Sequence, residues 1–302
     1  MRKLILSLFA IIALSFASCV EKKEETLTPP TPPTPPSTLT LKIDKLPALG
    51  NDYVYEGWLI VDSIPVSTGT FSVDNNNELS QTVFEINDST TLNSAKTFVL
   101  SIEPASDNDP KPSKTKILSG NFDDNSASLS VSEFVGDFSN VSGKFILATP
   151  TSESDEDETS GVWFLDNSDG EFKAGLTLPK LKEGWKYEGW AIIDGTPLST
   201  GTFLSVTGKD DNASTSPFKG DKSDGPEFPG EDYIKSAPDS LNFPTDLRGS
   251  MVAISVEPDP DNSETAFDIV PLFYAIPKDA EPGKVLEMEK QTISITGTAT
   301  RS

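Results

Sequence analysis

The chain writes one phrase twice, as YEGWLIVDSIPVSTGTF at residues 55–71 and as YEGWAIIDGTPLSTGTF at residues 187–203. The offset, 187 − 55 = 132, also pairs Leu46-Pro47 with Leu178-Pro179. A second pair of blocks, FVLSIEPASDNDP (98–110) and VAISVEPDPDNSE (252–264), stands 154 residues apart. The difference, 154 − 132 = 22, is chain added between the two blocks of the second copy, within the polar, Gly- and Pro-rich stretch 208–232. Such a stretch reads as loop. A repeating unit of roughly a hundred residues or more is a duplicated domain, not a turn of a solenoid.

Each copy holds about six or seven short apolar or alternating runs separated by turn residues, and none sustains a helical period. Examples are TLTLKI (38–43) and KTKILSGNF (114–122) in the first copy, and MVAISVE (251–257) and KQTISITG (290–297) in the second. This pattern predicts an all-β chain of two tandem Greek-key, immunoglobulin-like β-sandwich domains, at 39–168 and 169–302. Within the repeated phrase, Glu188, Trp190 and Ile192 alternate with Tyr187, Gly189, Ala191 and Ile193, and Asp194-Gly195 is a favoured hairpin turn. Asp62-Ser63 is the weaker equivalent in the first copy. Trp58 and Trp190 are expected to fill the middle of each sandwich, the alternative being a surface on which a ligand stacks. Gly57 and Gly189 leave room for a neighbouring ring or backbone. Glu103 and Glu257 close a strand in a Glu-Pro pair and are read as structural, and Glu56 and Glu188 as surface strand residues.

Ahead of the first copy, MRKLILSLFAIIALSFASC has a basic start, an apolar stretch too short to span a bilayer, and small residues before Cys19. Residues 1–18 read as a signal peptide, and Phe16-Ala17-Ser18-Cys19 resembles the lipobox of bacterial lipoproteins, in which the cysteine is lipidated. Cys19 is the sole cysteine, so an intrachain disulfide is impossible and lipidation accounts for the thiol. Residues 19–38 form a tether whose Pro-Pro-Thr repeats favour extended polyproline II. The cluster Glu21-Lys22-Lys23-Glu24-Glu25 resembles export signals of lipoproteins of Bacteroidota. The expected location is the cell envelope, lipid-anchored, at the outer membrane.

The repeated phrase and the Glu-Pro strand resemble the extracytoplasmic domain of anti-sigma-K factors of the RskA type. The resemblance rests on Trp58, Pro65-Val66-Ser67, Gly69-Thr70-Phe71 and Glu103-Pro104, and again on Trp190, Pro197-Leu198-Ser199, Gly201-Thr202-Phe203 and Glu257-Pro258. It implies a structural domain without catalysis. The family's zinc-binding anti-sigma domain is not carried over, because the chain has no histidine and no second cysteine.

The same absences exclude Ser-His-Asp and Cys-His nucleophile systems and any His-ligated metal. The chain is therefore read as not an enzyme. Calcium is the one cofactor considered, at loop residues Asp259, Asp261, Asn262 and Glu264, with Asp107, Asn108 and Asp109 matching in the first copy; their oxygens are the hard ligands calcium takes. The competing reading of these residues is a solvated loop. A net charge of −23 opposes nucleic acid as a ligand. The expected function is a non-catalytic envelope lipoprotein whose tandem sandwiches bind an envelope protein or glycan, with 208–232 as contact loop; the alternative is a sensor or co-regulator of envelope signalling. The expected membrane contact is the N-terminal lipid.

Overall fold

Period-two patterning governs the strands: in STLTLKID, Leu39, Leu41 and Ile43 are buried while Thr40, Lys42 and Asp44 face solvent. The computed structural model describes residues 37–107, 109–261 and 263–302. The expected signal peptide, Cys19 and nearly all of the tether lie outside the described residues, as does Asn262.

The first copy contributes β1 (Ser37–Asp44), β2 (Tyr53–Val61), β3 (Ile64–Phe71), β4 (Val83–Ile86), the short helix α1 (Ser89–Ser94), β5 (Thr97–Pro104), β6 (Lys116–Asp123), β7 (Ser126–Leu129) and β8 (Ser142–Leu147). Then come β9 (Gly161–Trp163), β10 (Leu165–Asp166), β11 (Lys173–Ala174), β12 (Leu176–Thr177), β13 (Trp185–Ile193) and β14 (Thr196–Phe203). The chain finishes with β15 (Gly230–Asp232), β16 (Met251–Pro258), β17 (Leu272–Ala275), β18 (Leu286–Glu287), β19 (Glu289–Lys290) and β20 (Thr296–Arg301).

The expected all-β sandwich architecture is present. Strands β3-β2-β5-β6-β7-β20-β1-β4 make one eight-stranded antiparallel sheet. It folds over until Phe71 on β3 meets Phe84 on β4, ring centroids 5.9 Å apart. Leu39, Tyr55, Leu59, Phe98, Leu100 and Ala299 fill the space so enclosed. In the second copy β14-β13-β16-β17-β19 packs on β12-β8-β9-β15, with β18 also paired to β8. Phe145 against Tyr274, 5.8 Å apart, is one contact between those layers.

The copies are not divided where the sequence repeat divides them. Strand β20, from the end of the second copy, lies between β7 and β1 of the first, with Ala299 opposite both Ala127 and Leu41. Strand β8, from the end of the first copy, lies between β18 and β12 of the second, with Phe145 opposite Leu286 and Gly143 opposite Leu176. The two strands are equivalent: Val141-Ser142-Gly143 and Ile295-Thr296-Gly297 keep the 154-residue offset (295 − 141). Each copy thus closes its sheet with the other's strand, a reciprocal exchange of the kind seen in domain swapping. The expected boundary at 168/169 is corrected accordingly, since 142–147 pairs into the second copy and 296–301 into the first. A repeat shows which strands are alike and is silent on which copy they join. The described residues form one compact unit, and one apolar core cluster runs through both copies.

Arg301 locks the exchange. Its guanidinium donates to the carbonyls of Leu92 and Ala95, each at 3.0 Å, at the end of α1, and lies over the Phe122 ring, 4.6 Å from its centroid. The stretch 208–232 folds back and buries Asp210, Ser216, Glu231 and Asp232, while Asp211, Asp221, Lys222 and Glu227 stay exposed. Asp232 is the staple, accepting from the Trp163 indole at 2.7 Å and from the Thr151 N–H at 2.8 Å.

Candidate functional site

The repeated phrase encodes a bulged hairpin that aims a glutamate. Its turn residues, Asp62 and Ser63 or Asp194 and Gly195, all take positive φ, the two-residue turn that matches strand twist. The pairing of β2 with β3 shifts at Gly57/Trp58, and that of β13 with β14 at Gly189/Trp190. Gly69 and Gly201 follow the extra residue with φ of 114° and 112°, where a side chain is strained. The bulge turns Ser67 and Ser199 so that each hydroxyl accepts from the N–H two residues on, at 3.1 and 2.9 Å, and donates to Glu56 or Glu188.

On the same face of the sheet each copy builds a relay. In the first, the Trp58 indole N–H donates to Ser101 Oγ at 2.8 Å, Ser101 donates to Glu103 Oε1, and the Ser113 N–H donates to that oxygen at 2.8 Å. In the second, Trp190 donates to Ser255 at 2.7 Å, Ser255 donates to Glu257, and the Phe267 N–H reaches both carboxylate oxygens at 3.0 and 3.1 Å. Both tryptophans are 2% exposed, yet neither belongs to the apolar core between the layers, which takes Tyr55, Leu59, Tyr187 and Ala191 from the other face. They roof the glutamates instead of filling the sandwich, because alternation along β2 and β13 places them with Glu56 and Glu188. Glu103 and Glu257 are 1% and 0% exposed, which explains the Glu-Pro strand end as a buried acceptor.

The two copies differ in what surrounds that glutamate. Glu188 is 6% exposed, which corrects its reading as a surface residue. Carboxylate oxygens of Glu188, Glu257 and Asp261 lie within 4.8 Å of one another. Burial pushes Glu257 up to about 8 and Glu188 up to about 7, with charge from Asp261 adding to both. Of the four expected loop ligands, only Asp261 joins this cluster among the described residues. Asp259 faces Lys186 at 4.0 Å, and Glu264 is not part of the group. In the first copy burial raises Glu103 too, and Glu56 and Asp107 reinforce the shift, but these three do not gather into such a cluster.

A cleft of about 590 Å³ opens beside the cluster, between loops of the first copy and the segment after β16. Asp52, Asp74, Glu257, Asp261, Asp268 and Phe267 line it, and none of its lining residues is Lys or Arg. Glu188 and Glu257 are both buried, and the Phe267 N–H is shared between the two oxygens of Glu257. A second acidic group, Asp210, Glu231 and Asp232, sits under the folded-back insert, with Glu231 pushed up to about 8 and the two aspartates to about 6, chiefly by burial.

Ser101 and Ser255 were visible as the repeated Ser-x-Glu-Pro, but nothing in one sequence marks them as links to a tryptophan forty-three and sixty-five residues away. Comparison with curated proteins and with solved structures finds no match. Residues 28–117, from ahead of β1 into β6, match the family described as anti-sigma-K factor rskA, C-terminal. Over that stretch the first copy is similar to the C-terminal domain of anti-sigma-K factors, and the second copy repeats its bulged hairpin and its Glu-Pro strand.

Proposed function

We propose that the chain is a non-catalytic lipoprotein of the cell envelope, anchored through Cys19 at the outer membrane, whose paired sandwiches hold a partner in the acidic cleft. The observation that carries this reading is the cleft itself, walled by carboxylates with no basic side chain among its lining residues. Such a surface attracts a partner that presents lysine, arginine or amine groups, and speeds its arrival at low salt. The lipid anchor rests on the lipobox-like FASC and the sole cysteine. Photo-cross-linkers at Asn75, on the cleft wall, and at Asp279, away from it, test the reading in the native envelope. Capture of one partner from Asn75 alone, weakened by added salt, supports it; equal capture from both positions contradicts it. Cys19→Ser, which removes the acylation site, is expected to release the protein from the membrane fraction.

The family match favours a second reading, an extracytoplasmic sensor or co-regulator of envelope signalling. Under that reading, deleting the gene changes transcription of one sigma-factor regulon, and charge reversal at Asp52 and Asp74 reproduces the change. A transcriptome untouched by the deletion removes this alternative.

A further inference from the structure

We propose that Glu188, Glu257 and Asp261 bind one calcium ion at the edge of the cleft, in the second copy only. The three side chains supply carboxylate oxygens within 4.8 Å of one another, an all-oxygen set of the kind a hard divalent cation takes. Glu188, a member of this group, has its Oε2 buried with no hydrogen-bond partner, on a side chain 6% exposed. Glu188 Oε1 is held by Ser199 and Glu257 by Ser255 and the Phe267 N–H, which fixes two of the three carboxylates before any ion arrives. Asp261, on the cleft wall, supplies the third from the solvent side.

The first copy provides the comparison. Ser113 and Phe267 are equivalent, both donating to the strand-end glutamate and 154 residues apart (267 − 113). The same offset carries Lys116 onto Val270 (270 − 116 = 154). Lys116, half-buried, donates to the Ser113 carbonyl at 2.7 Å and feels the charge of Glu103. The first copy thus has a lysine whose charge reaches Glu103 without pairing with it, Glu103 Oε2 also being buried without a hydrogen-bond partner, and the second copy has an apolar residue at the matching position. Lys186, on the same strand as Glu188, is taken by Asp211 at 2.8 Å and turns toward Asp259 at 4.0 Å. Two buried glutamates and an aspartate are left without a paired lysine or arginine among the described residues, beside a cleft that opens to solvent.

Calcium titration of the full chain by calorimetry, with thermal melts of every variant, tests the assignment. One equivalent is expected to bind. Glu188→Gln, which keeps the bond to Ser199, and Asp261→Asn, on the exposed rim, should each weaken binding at least tenfold while Glu56→Gln leaves it unchanged. Val270→Lys should abolish binding and, without calcium, melt no lower than the parent, because it restores the first copy's solution. No uptake at millimolar calcium overturns the proposal. So does parental affinity in Glu188→Gln and Asp261→Asn, or an equal loss in Glu56→Gln.

Discussion

Buried carboxylates without lysine partners make this protein's stability depend on pH in an unusual direction. Glu188, Glu231 and Glu257 titrate in the folded state at about 7, 8 and 8, against an ordinary value of 4.5, and Asp210 and Asp232 at about 6 against 3.8. The folded state then binds more protons than the unfolded chain between those values, so each group's contribution is complete below its unfolded pKa and is lost as pH rises through its folded one. Melting temperature in calcium-free buffer should therefore fall steadily from pH 5 to pH 8.5, and Glu231→Gln should flatten the fall; a profile rising over that window contradicts the assignment. The groups facing the Glu188–Glu257 pair are Asp261, Ser199, Ser255 and the Phe267 amide, none of them cationic. The tryptophans allow a second check at this scale. Trp58→Ala should cost roughly 3–5 kcal/mol, as for a buried ring. Trp58→Phe and Ser101→Ala should be non-additive, because they break one hydrogen bond from its two ends. Additive losses in a double-mutant cycle would show that the relay carries no coupling.

The hairpin was legible from the Asp-Gly turn between two alternating runs, whereas the bulge at Ser-Thr-Gly emerged only from the strand register. The runs TLTLKI and YEGWAII were legible as strands β1 and β13, but which face of β13 meets the core was not, since β13 is buried on both faces. Burial of Tyr187 and Ala191 in the core and of Trp190 behind it follows from the same period-two rule; the tryptophan's size invited the opposite placement. The weak strand TGTATR offered less, since its six residues bury one alanine and carry no apolar stripe. Its position is nonetheless central to the first sheet, held by backbone bonds on both edges. Truncation before Ile295 should therefore melt the first copy although it removes residues of the second. Losing both ladders costs several kcal/mol, lowering Tm on the order of 10 °C for a unit of this size. Hydrogen exchange should show the β1 and β7 amides opening first; protection retained there with only the second copy weakened would place β20 elsewhere.

At the scale of the molecule, duplication and strand exchange together explain why two equivalent relays ended with different surroundings. The copies share one core and one cleft, so only one needed to keep Lys116, and the other was free to carry Val270. None of this interlocking is visible in the sequence, where β8 and β20 each follow their own copy without interruption. The account rests most heavily on that exchange, and one measurement addresses it. A protease site inserted in the exposed turn at Ser168-Asp169-Gly170, between β10 and β11, lets the folded chain be nicked beside the expected domain boundary. The two fragments should then co-elute as one particle in native gel filtration and separate only in denaturant, since each holds a strand of the other's sheet. Elution as two separate, independently folded halves would contradict the exchange.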